Sequence, residues 1–154
     1  MTIDSVYNSK ILEFAGNIPH IGRLESPDGS AKAHSKLCGS TVIVDVNVKE
    51  GRISDYAHDV KACALGQAAA SILASHVIGS ELSELEELRD QMTAMLKENG
   101  PTPEGKFADL QFLEPVREYR ARHASTLLAF NAVVDAMHQA LGEGEREPKS
   151  KDVA

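Results

Sequence analysis

Cys38 and Cys63 are the residues of this 154-residue chain whose type and sequence context best suit metal binding or nucleophilic reaction. Cys38 lies in a turn that leads into an apolar run, and Cys63 lies where a second apolar run gives way to a helical pattern. A thiolate can ligate a metal ion or attack another sulfur atom. The two cysteines lack Cys-x-x-Cys spacing, and two inert, buried cysteines are therefore the alternative interpretation.

A predicted β-hairpin between the two cysteines should bring them together. Residues 41–48 are rich in β-branched side chains and predict a strand. Glu50 and Gly51 predict a tight turn, and residues 52–60 predict a returning strand of nearly equal length. Because a hairpin places the beginning of its first strand beside the end of its second, both thiols are expected at one edge of the sheet.

Cys63 is also expected at the beginning of a helix. Unpaired backbone N–H groups and the helix dipole at that position favour a thiolate. Lys61, two residues earlier, adds positive charge. These features suit Cys63 to metal binding or to attack on sulfur.

Histidines offer nitrogen ligands that, with thiolates, suit zinc and iron. His34 lies four residues before Cys38, His58 lies five before Cys63, and His123 begins the last helical segment. Any one of them could equally be a structural residue. P-loop, GxSxG and HExxH patterns do not occur, so the common nucleotide-binding and hydrolase signatures are missing.

The order of the predicted strands and helices that position these residues indicates an α+β fold. Strands come first and helices later, which indicates a small antiparallel sheet of about three strands with helices packed on one face. Residues 23–26 are a candidate for the third strand. We expect a single domain over residues 1–142 and a loose, charged tail over residues 143–154.

Composition excludes several classes of protein. The formal net charge of −7 and the sparse aromatic residues disfavour a nucleic-acid interface. No apolar run approaches the roughly 20 residues of a membrane helix, and the N-terminus lacks signal-peptide features. We therefore expect no membrane partner, a cytoplasmic location and free thiols.

Several segments together resemble the NifU/IscU/SufU-type iron–sulfur cluster assembly scaffolds. The resemblance covers about residues 5–140 and depends on the order and spacing of its parts. These parts are Ile11-Leu12-Glu13-Phe14, Asn17-Ile18-Pro19, Cys38-Gly39, Ile53-Ser54-Asp55, the Ala/Ser-rich segment from Cys63 to Ser71, and the segment from Val116 to Ser125.

The resemblance implies a scaffold and not an enzyme. In that family three cysteines and an aspartate hold a transient [2Fe-2S] cluster, or Zn²⁺ in its place. Sulfur arrives from a cysteine desulfurase, and the cluster leaves for acceptor apo-proteins. Cys38 and Cys63 match the first two cysteines, but Ser40 stands at the aspartate position and Ser125 at the third cysteine position. Neutral serine hydroxyls are poor iron ligands beside thiolate or carboxylate.

The resemblance leaves the remaining ligands open. His123, two residues before Ser125, is the first choice, and His58 or Asp59 near the strand end could contribute instead. A homodimer that contributes two thiolates from each chain would also supply four. Two other functions stay open as well: an adaptor or regulator that binds a desulfurase or zinc without a cluster, and a persulfide carrier acting through Cys63.

Overall fold

A computed structural model describes residues 8–36 and 39–142 and the backbone of Lys151–Val153. It confirms the predicted α+β fold, in which a three-stranded antiparallel sheet and helices form a single domain. The elements are α1 (Ser9–Gly16), β1 (Gly29–Ser35), β2 (Thr41–Lys49), β3 (Arg52–Lys61), α2 (Ala64–His76), α3 (Leu82–Lys97), two runs of 3₁₀ turns (Gly105–Glu118 and Arg120–Arg122), α4 (His123–Ala140) and β4 (Lys151–Val153).

The predicted hairpin forms from β2 and β3. Glu50 and Gly51 both have positive φ angles, 56° and 79°, which is the backbone of the tight turn that matches strand twist. Lys49 pairs with Arg52 at the closed end, and Thr41 pairs with Lys61 at the open end. The chain entering β2 and the chain leaving β3 therefore lie side by side at one edge of the sheet.

The third antiparallel strand is β1 and not the predicted segment 23–26. β1 pairs with β2 over Gly29 to His34. Its sequence, Gly-Ser-Ala-Lys-Ala-His-Ser, lacks the β-branched residues that signal a strand, and for this reason sequence reasoning missed it. Gly29 is required there because a Cβ atom at this position would overlap the carbonyl oxygen of Ala136 in α4.

The core lies between one face of the sheet and the helices. Val42, Val44 and Val46 of β2 are fully buried on that face. α4 packs across β1 and β2, and α2 packs beside α4. Small residues such as Ala68 and Ala69 let α2 approach its neighbours closely. The two helices that begin near the open end of the hairpin are thus held against each other.

Asp45 points to the other face of the sheet and anchors the segment that carries Arg23. The Asp45 side chain is 0% exposed and accepts hydrogen bonds from Arg23 Nε at 2.7 Å and Ser30 Oγ at 2.6 Å. The backbone N–H of Leu24 donates to it at 3.0 Å. Burial alone would raise the pKa of Asp45, but the hydrogen bonds from Arg23, Ser30 and Leu24 outweigh it and lower that pKa.

The chain's last strand, β4, pairs in parallel with the end of β1. β4 lies within residues 143–154, for which the sequence predicts a loose tail; residues 143–150 lie outside the described residues, and the tail stays a prediction. Ala33 to Ser35 offer β4 an edge, because β1 pairs on its other side with β2.

Candidate metal centre

Cys63 is the residue that caps the N-terminus of α2, as the sequence predicted. Its backbone is extended, with φ −67° and ψ 171°. Its carbonyl oxygen accepts the first hydrogen bond of the helix, from Gln67 N at 2.9 Å. The thiol is free and partly exposed. The side chain packs against the border of the hydrophobic core at the beginning of α2.

Ser125 lies against Cys63 although the two are 62 residues apart in the chain. Cys63 Sγ and Ser125 Oγ are 3.4 Å from each other, across the contact between α2 and the first turn of α4. Two ligands of one tetrahedral zinc ion, with bonds of about 2.1–2.3 Å, are about 3.4–3.8 Å apart. A side chain at position 125 is therefore within reach of an ion bound to Cys63.

Gly66 permits this contact between the two helices. A Cβ atom at position 66 would lie 3.0 Å from the carbonyl oxygen of Ser125 and 2.8 Å from Cβ of Ala62. Sequence reasoning did not assign a role to Gly66, although a glycine inside a helix is itself a signal of close packing.

We expect the substitution Gly66→Ala to separate α2 from α4 and to lower the free energy of unfolding by about 1–3 kcal/mol, the usual range for overpacking. The neighbouring Gln67→Ala, which adds no atom at the contact, is the control. Chemical denaturation measures both. Equal stability of the two variants would show that the helices adjust without cost.

The other family position, Ser40, is buried at the open end of the hairpin. Its carbonyl accepts from Ser35 N at 2.9 Å, and Gly39 N donates to the carbonyl of Ser35 at 2.9 Å. Gly39 has a positive φ of 71°. Cys38 itself lies outside the described residues, so its meeting with Cys63 stays a prediction.

His123 is held by backbone carbonyl groups. The residue is 6% exposed, and its Nε2 lies 3.1 Å from the carbonyl oxygen of Val116 and 3.2 Å from that of Arg117. These contacts require a proton on Nε2, which leaves Nδ1 as the nitrogen able to bind a metal. Residues 123 and 125 are about 200° apart around the helix axis, so their side chains diverge. His123 as a ligand stays a prediction.

His58 lies within the edge strand β3, three residues before the strand ends at Lys61. It pairs with Val44 and is fully buried, and its Nε2–H donates to the carbonyl oxygen of Pro19 at 2.8 Å. Burial lowers the pKa of His58, so the neutral ring is favoured. Asp59, the next residue of β3, pairs with Ile43. Because successive side chains of a strand point to opposite faces of the sheet, Asp59 and His58 lie on different faces. Among residues 8–36 and 39–142, no three His, Cys, Asp or Glu side chains form a group able to hold one metal ion.

Comparison with known proteins identifies the family. The family model described as the NifU-like N-terminal domain matches residues 6–126. The chain belongs to this family. The positions of Cys38, Cys63 and Ser125 all lie within the matched residues, and the earlier resemblance to NifU/IscU/SufU scaffolds is confirmed.

Three relatives show how far the similarity extends. The N-terminal NifU-like protein of Brucella abortus is 58% identical, with a TM-score of 0.88 over 91% of this chain and 97% of that one. The iron–sulfur cluster assembly scaffold protein IscU of Thermotoga maritima is 23% identical over 137 residues, covering 89% of this chain and 96% of the relative. A putative scaffold for the SUF system from Fervidobacterium islandicum shares the fold, with a TM-score of 0.80 at 18% identity over 88% of this chain and 99% of that one.

Proposed function

We propose that this NifU-like domain is an iron–sulfur cluster assembly scaffold in which Cys63 is a cluster ligand. The observation that carries the proposal is the position of Cys63, a partly exposed residue at the start of α2 whose sulfur lies 3.4 Å from the side-chain oxygen at position 125. The Thermotoga maritima relative, which is named as such a scaffold, supports it.

Cys38 is the second ligand in this proposal. It immediately precedes Gly39, and the chain then enters β2 through Thr41, which pairs with Lys61 two residues before Cys63. The cluster, [2Fe-2S] or a Zn²⁺ ion in its place, is cargo that the protein receives and releases. A cysteine desulfurase would supply the sulfur, and acceptor apo-proteins would take the cluster. Such thiol chemistry suits a reducing cytoplasm.

Two thiolates from one chain do not complete the coordination of a [2Fe-2S] cluster, which takes four. Two chains that each contribute Cys38 and Cys63 would supply all four. His123 Nδ1 is the alternative nitrogen ligand within one chain. The scaffold role requires no catalytic residue in either arrangement.

A second candidate function is an adaptor or persulfide carrier that partners a desulfurase without holding a cluster, with or without zinc. The serines at positions 40 and 125 favour it, since neither supplies a charged ligand. Added sulfur on Cys63, detected by mass spectrometry after incubation with a desulfurase, would support the carrier role.

Anaerobic reconstitution with iron, sulfide and a desulfurase tests the scaffold. We expect visible sulfur-to-iron charge-transfer bands from the parent protein and their loss in Cys63→Ala, because the ligating sulfur is gone. Ser75→Ala, a hydroxyl deletion in the same helix, is the control and should retain the bands. Colourless parent protein in both monomer and dimer fractions would refute cluster binding and leave the adaptor function.

A further inference from the structure

We propose that Ser125 positions the sulfur of Cys63 through a hydroxyl that exchanges hydrogen-bond partners, and does not itself ligate metal. Its single proton has two acceptors within reach: the carbonyl oxygen of Arg122 at 3.2 Å and the Cys63 sulfur at 3.4 Å. Ser125 is 1% exposed, so water does not compete for this hydroxyl. The proposal rests on the scaffold function only for the identity of the ion that reaches the sulfur.

The protonated thiol selects one arrangement. Cys63 S–H donates to Ser125 Oγ, and the serine hydroxyl donates to the Arg122 carbonyl, so that each proton has an acceptor. When a metal ion bonds to the sulfur, the thiol proton leaves to solvent and the sulfur can only accept. The serine hydroxyl then turns to donate to the sulfur.

The carbonyl of Arg122 does not lose its hydrogen bonding when this happens. Thr126 Oγ1 also donates to it, at 2.8 Å, which is shorter than the bond from Ser125. A partly buried carbonyl that kept no donor would oppose this rotation of the hydroxyl, because an unsatisfied polar group costs free energy. Because Thr126 supplies that donor, Ser125 can exchange partners.

A hydrogen bond to a metal-bound sulfur reduces the electron density that the sulfur gives to the metal, which is how such bonds tune metal–sulfur sites. A serine at position 125 would thus weaken the hold of Cys63 on its ion, and a cysteine there would instead add a ligand. This assigns Ser125 a role in release of the cargo.

Two spectra on the protein with Cys38→Ser, which retains one thiol, test the proposal without any cluster. In the apo protein, Ser125→Ala should move the infrared S–H stretch of Cys63 to higher wavenumber, because the donor loses its acceptor. Methylmercury needs one thiolate only and replaces the thiol proton. With it bound, Ser125→Ala should move the sulfur-to-mercury absorption to longer wavelength.

Two further variants separate positioning from packing. Ser125→Thr keeps the hydroxyl and should give both spectra of the parent protein. Thr126→Val removes the neighbouring hydroxyl, which donates to the Arg122 carbonyl and not to sulfur, and should leave the S–H band unchanged. Identical spectra for the parent and Ser125→Ala, or equal shifts of the S–H band from Ser125→Ala and Thr126→Val in the apo protein, would overturn the proposal. Neither readout depends on cluster binding, so failed reconstitution would overturn the scaffold function alone.

Discussion

Ser125→Cys is expected to tighten Zn²⁺ binding at least tenfold relative to the parent protein. The substitution places a third thiolate at the position whose Oγ is 3.4 Å from the Cys63 sulfur, close to the separation of two ligands on one zinc ion. Changes in groups that merely support metal ligands alter affinity about 10–100-fold, so an added ligand should do no less. Competition against a chromophoric zinc chelator measures the change.

Thr126→Cys is the matched control for this gain. It adds a thiol one residue further along α4, about 100° around the helix, where Thr126 Oγ1 donates to the Arg122 carbonyl. The double variant with Cys63→Ala should lose the gain from Ser125→Cys. A similar gain from cysteine at either position would mean that any added thiol captures zinc, and the site would not be where we place it.

Asp45→Asn is expected to lower the free energy of unfolding by about 2–3 kcal/mol at neutral pH. Removal of one partner from a buried ion pair costs about 3–5 kcal/mol, and we take less because the Arg23 side chain is 52% exposed and stays hydrated. Urea denaturation measures the difference. Asp55→Asn, on the exposed side of β3, is the control and should change stability by no more than about 0.5 kcal/mol.

The effect of Asp45 should depend on pH in one direction. Its pKa is lower in the folded protein than the ordinary value of 3.8, so the unfolded chain takes up a proton first as the pH falls. The contribution of Asp45 is therefore complete above pH 3.8 and is lost as the pH falls through its folded pKa. The parent and Asp45→Asn should converge in stability in acid, and a constant difference down to pH 2 would contradict this account.

Sequence patterns predicted the parts of this fold that depend on local chemistry. The β-branched run and the Glu50-Gly51 turn led to the hairpin, because strand propensity and turn geometry are properties of neighbouring residues. The position of Cys63 at the beginning of α2 followed from the change of period after β3. β1 escaped prediction since its small and polar residues become a strand through pairing with β2 and packing under α4.

The sequence by itself determined the α+β fold class, the start of α2 at Cys63, and the replacement of two family ligands by serines at positions 40 and 125. Each of these follows from residue type and local spacing. Only the tertiary structure decided that Ser125 contacts Cys63, that Gly66 permits the contact, and that the His123 Nε2 faces backbone carbonyls. The contacts of Ser125 and Gly66 depend on how α2 packs against α4, which brings together residues 62 positions apart in the chain. Local propensity depends on neighbouring residues only and does not predict that packing.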